Sequence, residues 1–161
     1  NRGQGTSRKA PPVTRRAVVS AIAGGPVAFL AGRADAQSTD PRSIRQPDDP
    51  TRRSFMDRAE AMRDLALRRG DQGFGAVIVK RGRIVGQAPS RVVTGNDPTA
   101  HAEAIRHAAA TLGTRDLSGC VMFGTSRACP MCETAAYWAK LDRLFHGSGI
   151  ADAGSPRYRH C

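Results

Sequence analysis

His101, Glu103, Cys129 and Cys132 are the residues of this chain whose types and spacing could do chemistry. One imidazole and two thiolates, the latter separated by Pro130 and Met131, are borderline-soft donors of the kind Zn²⁺ takes. Three protein donors leave the fourth tetrahedral position open, and that opening separates a reactive zinc from a structural one. Glu103 is not needed to hold a metal, but a carboxylate two residues past a ligand suits the proton acceptor that polarised water requires. Two other arrangements draw on the same residues. A closed structural site would take a fourth donor from His107, Cys120, His146 or Cys161, and leaves Glu103 unexplained. A redox Cys-x-x-C opening a helix explains neither His101 nor Glu103.

The elements that must position these residues follow from periodicity. Phe55, Ala59, Met62 and Ala66 recur on one face of a helix expected over 52–68, ended by Gly70. Residues 74–80 are a continuous β-branched run, as in a strand buried on both faces. Arg81-Gly82 then forms a tight turn into a second strand over 83–88. Asp97 is expected to cap the next helix, with Pro98 in its first turn and Gly113 closing it. Ile105, Ala108, Ala109 and Leu112 form its buried stripe, so His101 and Glu103 lie near its start. A third strand over 120–124, a third helix opened by Cys129 and running to about 140, and a fourth strand over 141–146 complete the pattern. The tail from Gly147 has little apolar content. The order α-β-β-α-β-α-β predicts an α/β sandwich with the metal donors at two helix N-termini, where the macrodipole is expected to lower the thiol pKa values.

With 161 residues the chain has one domain's length. Residues 1–36 read as a signal peptide: Arg2, Arg8, Lys9, Arg15 and Arg16 precede an apolar stretch over 17–32 and a small-residue cleavage site at Ala34-Asp35-Ala36. The apolar stretch is too short and broken to span a bilayer, and Arg15-Arg16 predicts export by the twin-arginine route to a bacterial periplasm. The first residue is Asn, so the start of translation is expected upstream. Residues 37–51, rich in Pro, Asp and Arg, read as a linker, and 52–161 as the domain. The net charge of +11 favours anionic partners, but no Lys/Arg run interleaves with aromatics, so a solvated basic surface is expected and not a nucleic-acid site. The spacing of the four cysteines argues for no particular disulfide.

His-x-Glu followed by Cys-x-x-C resembles the signature of the zinc deaminases. Asn96-Asp97-Pro98-Thr99-Ala100-His101-Ala102-Glu103, Thr125-Ser126, Cys129-Pro130-Met131-Cys132 and Tyr137-Trp138-Ala139 are similar to the cytidine-deaminase-like superfamily, in its bacterial guanine deaminase and nucleoside deaminase branch, which includes tRNA adenosine deaminases. The resemblance covers about residues 55–152. It implies a three-layer α/β/α sandwich around a mixed central sheet, zinc held by His101, Cys129 and Cys132, and Glu103 as the proton shuttle. It further implies hydrolytic deamination of a purine base or nucleoside, guanine-type favoured, a pocket with Phe74, Ser90, Ala102 and Trp138 against the base, and a homodimer. An exported protein would not meet tRNA. Three departures stand out. Ala128 replaces a Pro, Ser90 stands where the branch has an Asn that hydrogen-bonds the base, and 154–161 do not match the family's C-terminal segment, as a truncated end would not. These departures would fit a deaminase fold that only binds, but a binder has no use for Glu103.

Overall fold

The structure, a computed structural model, describes residues 43–158. The expected leader over 1–36 and the last residues, Cys161 among them, lie outside the described residues.

Helix α1 spans Arg52–Arg68. Thr51 caps it reciprocally with Ser54: the Thr51 hydroxyl accepts from Ser54 N at 3.2 Å, and the Ser54 hydroxyl accepts from Thr51 N at 3.0 Å. Its expected stripe of Phe55, Ala59, Met62 and Ala66 is buried, joined by Met56. Strand β1 (Gly75–Lys80) turns through Arg81 and Gly82, both at positive φ (50° and 73°), into β2 (Arg83–Pro89). Two left-handed residues in a two-residue loop match the right-handed twist of a hairpin.

After β2 come α2 (Glu103–Leu112), β3 (Cys120–Gly124), α3 (Pro130–Trp138), β4 (Arg143–His146) and β5 (Ala151–Gly154). The sheet order is β2-β1-β3-β4-β5. β3 and β4 are parallel, joined by a crossover through α3, while the other neighbours are antiparallel, so the sheet is mixed. Side chains alternate between two cores. Val77, Val79, Phe123 and Phe145 face Phe55, Met56 and Ala59 of α1. Ile78, Met122 and Leu144 face Ala104, Ile105, Ala108 and Ala136 of α2 and α3. Helices therefore cover both faces of one sheet, in three layers. Gly86 permits close packing of α2 on β2, because a Cβ there would lie 2.5 Å from Ala104 O and 2.6 Å from Ala108 N.

Three features differ from expectation. The tail forms β5 at the sheet edge; a strand with one partner needs backbone bonds and few apolar side chains. Helix α2 starts at Glu103, because Asp97 Oδ1 accepts from Thr99 N (2.8 Å) and Thr99 Oγ1 (2.6 Å) and closes local turns over 97–102 instead. Residues before α1 dock on β2: Gln46 Oε1 accepts from Ile84 N and its Nε2 donates to Ile84 O, both at 2.8 Å.

Candidate active site

Cys129 is the N-cap of α3, and Pro130 takes the first helical position, where its missing N–H is not needed. The Cys129 sulfur accepts from Cys132 N at 3.5 Å, and the two sulfurs stand 3.3 Å apart. His101, in the turn before α2, brings Nδ1 to 3.9 Å from Cys129 Sγ. The three donors all lie within 4.8 Å of one another. Tetrahedral zinc with ordinary bond lengths separates two sulfurs by about 3.7 Å and a sulfur from a nitrogen by about 3.5 Å. The two spacings from Cys129, to Cys132 and to His101, lie within about 0.4 Å of these, and the three donor types are those zinc takes, so the donor set fits the metal.

Among the described residues no fourth His, Cys or carboxylate completes this group. His107 Nδ1 lies 2.8 Å from Gln87 O on β2, and Cys120 is buried in the core that faces α2 and α3. Cys129 and Cys132 are both free thiols. Burial, with the Cys129 sulfur beside it, pushes the Cys132 thiol up to about 12. The direction is opposite to the lowering expected at a helix terminus, because loss of hydration at the buried thiol disfavours the thiolate.

Beside the donors is a cavity of about 110 Å³. Phe74, Ser90 and Ala102 line it, along with Ile105, Met122 and Thr125. The Phe74 ring meets His101 edge-on, with centroids 5.1 Å apart. Ser90 is buried and donates its hydroxyl to Asp71 Oδ1 at 2.7 Å. Asp71 also accepts from Gln72 N, Val93 N, Thr94 N and Thr94 Oγ1 at 2.8–3.1 Å. Burial alone would raise this carboxyl, but the hydrogen bonds from Thr94, Ser90 and Gln72 outweigh it and hold it well below the usual carboxylate range. The loop that carries Ser90 is thus moored to an ionised, buried group.

Two expected residues lie elsewhere. The Glu103 carboxylate pairs with Arg106 one turn along α2, on a groove outside the cavity. Trp138 is 68% exposed and does not line the cavity; it meets Tyr137 and Tyr158 edge-on. Sequence reasoning missed Asp71 and Gln72, whose Oε1 stands 2.7 Å from His101 Nε2. They sit in an irregular turn after α1, where no periodicity marks them. It also missed Arg106, although its spacing of three from Glu103 is that of a helical ion pair.

Residues 50–148 match the family described as "Cytidine and deoxycytidylate deaminase zinc-binding region". The chain belongs to this family, and the sheet and three helices of its described residues are the cytidine-deaminase-like α/β fold. It is 42% identical over 103 residues to guanine deaminase of Bacillus subtilis, covering 62% of this chain and 66% of that protein. A crystal structure of that guanine deaminase superposes with a TM-score of 0.59, covering 61% of this chain and 64% of the other. A tRNA-specific adenosine deaminase of Aquifex aeolicus is 38% identical over 81 residues, covering 49% of this chain and 54% of that protein. The chain thus spans less than two thirds of the length of these relatives. No helix among the described residues is long and apolar enough to cross a membrane.

Proposed function

We propose that this chain is a zinc-dependent hydrolytic deaminase of a free purine base or nucleoside, with a guanine-type base favoured. The observation that carries the reading is the convergence of three metal donors, with no fourth among the described residues, beside an apolar cavity that a planar ring could enter. The likeness to a guanine deaminase supports the choice of base. When bound, zinc supplies a Lewis acid that brings the pKa of water near 7.

The chain's own groups do the rest. Phe74, Ala102 and Met122 wall the ring off from bulk water. Ser90, its hydroxyl proton committed to Asp71, offers lone pairs to an N–H of the base. Glu103 takes a proton from the attacking water and delivers it to the exocyclic amine. The C–N bond then breaks, ammonia leaves and the ring carbon keeps the oxygen. Glu103 follows Ala102 at the cavity wall, so side-chain rotation away from Arg106 is the motion this role requires.

The test is ammonia release by the zinc-loaded chain from guanine, guanosine, adenine, adenosine, cytosine and cytidine, with Glu103→Gln alongside. One substrate should release ammonia, and Glu103→Gln should keep its zinc while losing about 10²–10⁴ in kcat. A variant as active as the native chain refutes the role of Glu103; silence across the panel from zinc-loaded protein refutes the activity. The tRNA-specific relatives and the net charge of +11 favour a second reading, adenosine deamination in tRNA, and a tRNA substrate in the same assay decides it. The basic leader with Arg15-Arg16 supports export by the twin-arginine route, and changing both to Lys should strand the protein in the cytoplasm. The exposed cluster of Tyr137, Trp138 and Tyr158 supports a homodimer, to be read by sedimentation.

A further inference from the structure

Nothing in a helix fixes the His101 imidazole, because the residue precedes α2 and its backbone N–H bonds to Thr99 O in a turn. What fixes it is the turn over 71–74. Gln72 Oε1 lies 2.7 Å from His101 Nε2, and the Phe74 ring abuts the imidazole edge-on. An amide oxygen can only accept, so Nε2 carries the proton and Nδ1 keeps its lone pair. Nδ1 is the nitrogen that faces Cys129 Sγ at 3.9 Å. The turn is itself mounted rigidly: Gln72 N donates to Asp71 Oδ1, and Asp71 is tied to Ser90, Val93 and Thr94. Phe74 N donates to Gln72 O at 2.7 Å, closing the turn on the other side.

We propose that Gln72 is the positioning residue of the metal site, holding His101 as the Nε2–H tautomer with Nδ1 aimed at the two cysteines before metal arrives. The inference rests on the zinc reading above. A metal-ligating His whose second nitrogen is held has one orientation to offer, and loss of such a partner weakens metal binding by about 10–100-fold. An amide in this place orients the ring without adding charge; a Glu would orient it equally and make it more basic.

The test uses the full chain and two readouts. In the zinc-free protein, long-range ¹⁵N–¹H correlation of the imidazole should report His101 protonated at Nε2, and Gln72→Met should mix the two tautomers. Zinc affinity, measured by competition with a chromogenic chelator, should fall by about 10–100-fold in Gln72→Met and be kept or raised in Gln72→Glu. Met is close to Gln in length and the side chain is exposed, so the melting temperature should stay constant, unlike the outcome of a merely structural role. Should Gln72→Met fail to fold, Gln72→Asn, too short to reach Nε2, must show the same loss. Three results overturn the proposal: a native His101 protonated at Nδ1, a Gln72→Met affinity within about twofold of native, or a Gln72→Glu variant as weak as Gln72→Met. A native chain that binds no zinc instead sinks the metal reading on which the proposal rests.

Discussion

Removing the Asp71 carboxylate should unmoor the loop that carries Ser90 and destabilise the domain. Asp71→Ala strips the acceptor from five donors: Gln72 N, Ser90 Oγ, Val93 N, Thr94 N and Thr94 Oγ1. The buried Ser90 hydroxyl loses its protein partner, which costs about 1–3 kcal/mol. Val93 and Thr94 are exposed and can rehydrate, so their bonds together contribute only about another 1 kcal/mol. The expected loss is about 2–4 kcal/mol, or a urea midpoint lower by roughly 1–3 M. The pH dependence has a definite sign. Hydrogen bonds hold the folded Asp71 carboxyl well below its unfolded value, so its stabilisation is fully present above that unfolded value, about 3.9, and fades as pH falls toward the folded one. Urea melts of both proteins at pH 7 and pH 3 should show a gap that narrows in acid. A gap below about 0.5 kcal/mol at pH 7, or one that widens in acid, refutes the reasoning.

Two further outcomes follow from packing and protonation. Gly86→Ala places a methyl 2.5 Å from Ala104 O, so α2 must lift off β2; a loss of about 1–3 kcal/mol should appear as a lower melting temperature by calorimetry. Because burial holds the Cys132 thiol near 12, zinc binding at pH 7 should release its proton, and affinity should rise about tenfold per pH unit for each proton displaced. Titration calorimetry in two buffers of different ionisation enthalpy counts the protons, and a count near zero contradicts the ligand role of Cys132.

The parts of the fold that sequence makes legible are those with strong periodicity or a chemical motif. The stripe of Phe55, Ala59, Met62 and Ala66 and the run of β1 announce a helix and a doubly buried strand, and both are found. Cys129-Pro130-Met131-Cys132 announces an N-cap, and α3 starts there. β5 was illegible because an edge strand needs only one partner and carries almost no apolar signal. The start of α2 was misplaced because Asp97 and Thr99 satisfy each other locally, using the same donor and acceptor chemistry that would cap a helix. Asp71 and Gln72 were invisible for a different reason. Their roles depend on partners about 20 and 30 positions away, His101 among them, and nothing in a local window signals that distance.

The proposed function stands on a zinc held by two sulfurs and one nitrogen of this chain with the fourth position open. X-ray absorption at the zinc edge of the loaded protein tests it most directly. One zinc per chain is expected, with two sulfurs at about 2.3 Å and two lighter atoms at about 2.0–2.1 Å, one of them replaceable by an added small anion. A shell of three or four sulfurs, or four donors that no added anion displaces, would contradict it.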